Sequence, residues 1–265
     1  MKLAFSTVCC PEWDWQRCSN YARQYGFDGV ELRVTKEDSE QVSSFDGGLR
    51  FSESSTLGQP LSPAPVMLAS SVCLAELADL QEGMLLVRTA SRLGIPMLRV
   101  MITAAPNPTR ADLTAAAMAY RKLFLHGQQD GVRVLIETSG ILANSAEMNR
   151  FLLLADCGGA VLWDVHNTFR YCGEEPSVTF QRLKEKIEYV HVKDSVLDGK
   201  RVEHCMVGKG DVPIREAVVL LVKEGFEGFF SCEWVRRWNP LLSPPWIVLP
   251  EFVRTMEEMG KGVCI

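Results

Sequence analysis

No run of about 18 consecutive apolar residues occurs in the 265-residue chain, so the sequence offers no membrane-spanning helix. No C-x-x-C pair links any of its nine cysteines, which removes zinc-ribbon spacing, and an odd count at this size speaks against a disulfide framework. The opening MKLAFSTVCCPEWDW holds one lysine and a short apolar stretch before Pro11, Glu12 and Asp14. That is too short and too soon acidic for an export signal, so a cytoplasmic protein with reduced thiols is expected. A basic stripe is also missing. Lys+Arg number 28 against 33 Asp+Glu, a net charge of −5, and a nucleic-acid partner gripped through its phosphates is excluded on that ground. No G-x-G-x-x-G follows the first apolar run, which leaves an open dinucleotide-binding sheet without its fingerprint.

What is present is an ordinary globular composition, 47% apolar and 23% charged, in which short apolar runs alternate with segments of helical period. Strands are expected at 2–7, 29–32, 66–70 and 96–102. Helices are expected at 14–25, ending at Gly26, at 80–93, ending at Gly94, and at 110–128. The second half is more regular. Arg133–Glu137, 160–164, Ile187–Val192 and 228–234 are unbroken β-branched or aromatic runs of the kind that both faces of a parallel sheet bury. Ser145–Ala155, 178–186 and 214–224 read as the helices between them. Eight strands at about 33 residues per unit is the arithmetic of a (β/α)8 TIM barrel, an α/β fold, here expected as a single domain over 1–265. Two stretches break the rhythm. Residues 39–65 are rich in Ser, Gly and Pro and predict an irregular segment where the second helix belongs. Residues 239–249 (NPLLSPPWIVL) are apolar and proline-rich; they either cover the barrel mouth or a partner subunit, or pack on the outer ring.

Four of the expected strand ends carry a ligand atom. Glu137 closes RVLIE, Asp164 closes AVLWD, His191 lies in YVHVKD and Glu233 in FFSCEW. Any one of these alone reads best as a helix cap, an ion-pair partner or a satisfied core histidine. Four on consecutive strand ends read differently, because the carboxyl ends of barrel strands converge on one pocket. A carboxylate at the tip of an apolar run is costly unless paired or metal-bound. Three carboxylates and one imidazole make a mainly hard donor set, suited to one divalent ion: Mn²⁺, Mg²⁺, Co²⁺ or Zn²⁺.

The phrases GFDGVELR, VLIETSG, LWDVHN, YVHVKD and VGKGDVPIREAVVLLVKEGFEGFFSCEW resemble the xylose isomerase-like TIM barrels grouped as sugar phosphate isomerases and epimerases. The resemblance runs over nearly the whole chain, most specifically over 133–235. It implies a metal held by Glu137, Asp164, His191 and Glu233, and it implies that Glu137 and Glu233 are also catalytic, moving the proton. Many relatives place a second histidine three residues after the aspartate; here Asn167 stands there and His166 one place earlier. Asparagine can hydrogen-bond a hydroxyl but cannot shuttle a proton. Further substrate-binding candidates at the mouth are Arg33, Arg99, Lys193 and Lys209, with Asp194 and Arg236 beside them. Lys193 could neutralise an anionic substrate or an enolate. The run Gly208-Lys209-Gly210-Asp211 could set backbone N–H groups beside an anion at the start of the seventh helix, and Lys209 stands where relatives commonly carry an acid, which implies a more acidic substrate.

The expected activity is that of a divalent-metal-dependent isomerase or epimerase acting on a sugar or polyol-derived hydroxy-ketone, by proton abstraction next to a polarised carbonyl. The alternatives are a dehydratase of an inosose or dehydroshikimate-like substrate and a non-catalytic sugar-binding barrel. The family's DNA-cleaving branch is disfavoured, since it needs several metals, more than four histidines and a basic track. The expected partner is a small molecule, with no nucleic acid and no membrane. The apolar run 240–249 offers a surface for a homo-oligomer.

Overall fold

A computed structural model of the chain describes residues 1–34, 62–74, 77–102 and 108–261. Eight parallel strands close a barrel: β1 (Lys2–Ser6), β2 (Gly29–Arg33), β3 (Pro65–Cys73), β4 (Met97–Met101), β5 (Arg133–Glu137), β6 (Val161–Asp164), β7 (Ile187–Val192) and, after a hairpin, β10 (Phe229–Cys232). Each pairs with its neighbours in sequence, and β10 closes against β1 through Leu3↔Phe230 and Ala4↔Ser231. The helices of the outer ring are α1 (Trp15–Tyr25), α2 (Leu77–Leu93), α3 (Arg110–Gln129), α4 (Ser145–Ala155), α5 (Val165–Cys172), α6 (Pro176–Leu183), α7 (Ile214–Lys223) and α8 (Pro245–Lys261). The (β/α)8 barrel expected from the sequence is the fold observed.

Local chemistry sets the boundaries. The Asp14 carboxylate caps α1 by accepting the Arg17 N–H at 2.7 Å, and Gly26 ends the helix at φ +76°, a left-handed conformation that favours glycine. Helix α3 opens with a capping box in which Thr109 and Asp112 satisfy each other's free N–H groups. The strands read as continuous apolar runs because Phe5, Trp163, Val190 and Phe230, facing the helices, are as buried as the side chains that fill the lumen.

Three features depart from the expectations. A two-stranded antiparallel hairpin, β8 (Asp194–Asp198) with β9 (Arg201–Cys205), projects after β7. A short helix, α5, starts directly at the end of β6. The run 239–249 does not act as one piece: from Pro245 it belongs to α8, whose Val248, Leu249, Phe252, Met256 and Met259 are buried, and so lies on the outer ring. Its Leu241, Trp246 and Ile247 are exposed, as is Trp238 just before it. Of the segment 39–65, all but the last four residues lies outside the described residues. Among the described residues, no helix is long and apolar enough to cross a membrane.

Between β5, β6 and α3 sits the fully buried Tyr120, whose hydroxyl accepts the Ala160 N–H at 3.0 Å and lies 3.1 Å from the Val134 carbonyl oxygen. Tyr120→Phe strands the buried Ala160 N–H. The expected cost is about 1–3 kcal/mol of stability, read from urea unfolding as a lower midpoint with an unchanged slope.

Candidate metal centre

Strand geometry decides which side chains meet. Side chains alternate across a strand, so Glu31 and Arg33 of β2 share one face, as do His191 of β7 and Lys193 just beyond it, and Ser231 of β10 and Glu233 just beyond it. These faces line the lumen. Its lower part is apolar, with Met67, Leu162 and Tyr189, and its carboxyl-end rim is charged.

At that rim, Glu137, Asp164, His191 and Glu233 each offer one ligand atom, and these atoms lie within 4.8 Å of one another. Nδ1 of His191 is 3.3 Å from Glu137, 3.6 Å from Glu233 and 4.0 Å from Asp164. All four side chains are buried. Asp164 divides its labour: Oδ1 caps α5 by accepting the Asn167 N–H at 2.9 Å, while Oδ2 turns to the cluster. A helix cap and a candidate ligand, alternatives at the level of sequence, meet here in one carboxylate. Glu233 lies just past β10 but keeps the ladder going, its N–H donating to the Val192 carbonyl oxygen at 3.1 Å.

Lys193 lies among these acids, with Nζ 2.5 Å from both Asp164 Oδ2 and Glu233 Oε2. Arg99 flanks them, its Nε 3.4 Å from Glu137 Oε2. The charges set the protonation. Burial alone would raise the Glu137 carboxyl, but Arg99 and His191 outweigh it and hold the group at about 2. Glu233 is lowered against the same burial by Lys193, His191 and Arg99. At Asp164 burial wins, and the carboxyl is pushed up to about 6 despite Lys193. Lys193 itself is raised above its ordinary value, burial being overcome by Asp164 and Glu233.

Glu31 was not among the residues singled out from the sequence. It is fully buried, and its Oε2 lies 2.9 Å from His191 Nε2 and accepts the Ser231 hydroxyl at 3.1 Å. One ring nitrogen of His191 is thereby fixed and the other faces the acids, where it makes no hydrogen bond of good geometry. A carboxylate behind a histidine orients the ring and raises its basicity as a ligand. The available signal was the strand alternation: if Arg33 faces inward, so does the residue two before it.

The remaining candidates divide. Arg33 and Arg99 are buried at the rim, both reaching the Ser70 carbonyl oxygen. Asn167 donates through Nδ2 to the Thr138 carbonyl oxygen at 3.2 Å, tying α5 to the end of β5. His166 is buried with Nε2 3.0 Å from Ser195 Oγ. Arg170 already donates to that oxygen at 3.1 Å, which leaves the hydroxyl proton for the ring; burial and the nearby Lys193 lower His166 to about 3, so it is neutral. Arg236 pairs with Glu12 at 2.6 Å. The N–H groups of the 208–212 turn do meet an anion, but it is Asp194: its carboxylate accepts from Ser195, Gly208, Gly210 and Val212 at 2.8–3.3 Å. Lys209 is exposed in a cleft against Glu251, Arg254 and Thr255 of α8, which none of the four clustered side chains lines.

Residues 20–255 match the xylose isomerase-like TIM barrel family, and the chain belongs to it. The fructoselysine 3-epimerase of Escherichia coli O157:H7 is 33% identical over 66 residues, spanning 24% of this chain and about a quarter, 23%, of that protein. The probable 3-DHS dehydratase AsbF involved in petrobactin synthesis from Bacillus anthracis superposes with a TM-score of 0.75 at 14% identity, covering 97% of this chain and 99% of that one. The IOLI protein with a bound zinc atom gives 0.72 at 14% identity, over 99% and 98%. At such identities the structural likenesses speak for the fold.

Three carboxylates and an imidazole converging on one point, with an unsatisfied buried nitrogen among them, fit a hard divalent cation. Glu31→Gln removes the charge behind His191. It is expected to weaken Mn²⁺ affinity by about 10- to 100-fold, measured by competition with a chromogenic chelator, with the circular dichroism spectrum unchanged.

Proposed function

We propose that the protein is a divalent-metal-dependent isomerase or epimerase of a sugar or related hydroxy-ketone. The observation that carries this reading is the convergence of Glu137, Asp164, His191 and Glu233 within 4.8 Å at the carboxyl ends of four strands, where barrel active sites form. The family membership and the partial identity to a 3-epimerase support it. Glu137, Asp164, His191 and Glu233 hold the metal, which when bound supplies Lewis acidity at a substrate carbonyl.

The chain's own groups do the rest. Glu137 and Glu233 are ionised at neutral pH, since both are held below the usual carboxylate range. For epimerisation, one carboxylate takes the proton from the carbon next to the carbonyl; the other delivers to the opposite face a proton it has first drawn from solvent, and the first then releases its own to solvent. Return to the neighbouring carbon gives isomerisation. Lys193, cationic and placed between Asp164 and Glu233, balances negative charge developing on the substrate oxygens. Asn167 and the neutral His166 hold α5 and the hairpin against the rim, and Arg33 and Arg99 line its other side. The same abstraction followed by loss of a β-hydroxyl would be dehydration, the reaction named for the structurally similar AsbF; release of water from the substrate distinguishes it.

Protein purified without chelator should carry about one equivalent of divalent metal per chain by elemental analysis. In D₂O it should place deuterium on the carbon next to the carbonyl of at least one ketose or inosose from a panel. Glu137→Gln and Glu233→Gln should each slow that exchange by about 10²- to 10⁴-fold. Full exchange in both variants with metal still bound removes the proton-transfer assignment.

A further inference from the structure

We propose that Arg33 is a receptor for a negatively charged group on the substrate, a carboxylate or a phosphate, so that the ketone handled at this rim is an anion. The inference rests on the reading above that the rim acts on a hydroxy-ketone, and it adds the substrate's charge and the residue that reads it.

Arg33 ends β2 and is 7% exposed. Buried guanidinium groups are normally answered by acids, and here Arg99 faces Glu137 and Arg170 faces Asp211. Among the described residues no carboxylate lies within ion-pair distance of Arg33. Among the same residues its buried Nε has no hydrogen-bond partner. Its Nη1 reaches the Ser70 carbonyl oxygen at 3.5 Å, the outer edge of a hydrogen bond, while Arg99 Nη1 holds the same oxygen at 2.6 Å.

Two guanidinium groups therefore lean on one neutral acceptor. The sheet register brings them together: Arg33 pairs with Ala69 and Ala69 with Arg99, so a single methyl stands between the two arginines. Burial and the charge of Arg99 lower Arg33 to about 10, although Glu233, Glu137 and Glu31 act in the opposite sense. On its other side the guanidinium lies 5.7 Å from the ring of Trp238, which is exposed. A fork of N–H donors, short of an acceptor and close to solvent, is the geometry that binds a carboxylate or phosphate through two parallel hydrogen bonds.

The charge count agrees. Four buried carboxylates, Glu31, Glu137, Asp164 and Glu233, meet three buried cations, Arg33, Arg99 and Lys193. A divalent ion with a neutral His191 turns the deficit of one positive charge into an excess of one. A neutral sugar would leave that excess buried, whereas a substrate bearing one negative charge removes it.

The test compares three ketoses on Mn²⁺-loaded protein by calorimetry: D-fructuronate, D-fructose 6-phosphate and neutral D-fructose. At least one of the two anions should bind about tenfold or more tightly than D-fructose, and which one does identifies the anion as carboxylate or phosphate. In Arg33→Gln the ratio of anion to neutral affinity should collapse to within about threefold, and Arg33→Lys, which keeps charge but loses the fork, should fall between. Affinity for both anions no greater than for D-fructose in the unaltered protein overturns the proposal. So does a preference that survives Arg33→Gln. Should Arg33→Gln fail to fold by circular dichroism, the unaltered protein and Arg33→Lys decide. Solvent-deuterium exchange in the same samples separates the two readings: charge preference without exchange removes the isomerase assignment alone, and exchange without charge preference removes the anion receptor alone.

Discussion

A carboxylate taken out of water must be met by positive charge or dense hydrogen bonding, and the mouth of this barrel takes in four. Glu31, Glu137, Asp164 and Glu233 are each at most 5% exposed. Their compensation is distributed rather than paired: Lys193 serves Asp164 and Glu233 together, Arg99 serves Glu137, and His191 lies among them all. In such a network the removal of one member weakens the whole, because it leaves another as a buried, poorly matched charge. That dependence explains why so much of the surrounding architecture holds side chains at fixed angles. Thr138 accepts the Asp164 N–H, Glu31 fixes the ring of His191, and Ser231 donates to Glu31.

The hairpin after β7 belongs to the same logic. Lys193 is followed at once by Asp194, whose carboxylate gathers four backbone N–H groups from its own neighbour and from the 208–212 turn. That anchor fixes the chain on the far side of Lys193. It also leaves no room: a Cβ on Gly210 would fall 2.1 Å from Asp194 Oδ1, while Gly208 adopts φ +83°, so the two glycines of this loop answer close approach to a carboxylate and a left-handed backbone in turn. Ser195 then links the hairpin to α5 through His166 and Arg170. The two elements least regular for a barrel hold each other beside the rim.

Much of this was written plainly in the chain. The runs ending at Glu137 and Asp164 were readable because a parallel strand buried on both faces leaves an unbroken apolar word, and a charge at its end has few ordinary uses. The four candidate ligands follow from strand order, and the structure brings those side chains to one point. The hairpin escaped because DSVLDGKRVEHC is polar and short, and its pairing is stabilised by contacts made elsewhere in the fold. Helix α5 escaped because its cap, Asp164, was already spoken for as a strand end. The N–H groups of the run around Lys209 do face an anion as expected, but the anion is internal, the carboxylate of Asp194. Glu31 is harder to read for another reason: alternation with Arg33 places it in the lumen, but its partners are 160 and 200 residues away, and that pairing leaves no local trace.

That span has an implication for how the chain comes to rest. Glu31 is made 160 residues before the imidazole it is matched to, which arrives only with the seventh strand. Until then the early βα units carry an acid that must either stay wet or forgo native packing, since no smaller set of strands encloses it with its counterpart. Closure of the charged rim is therefore a late, long-range event: it waits for β7, however early β2 is made.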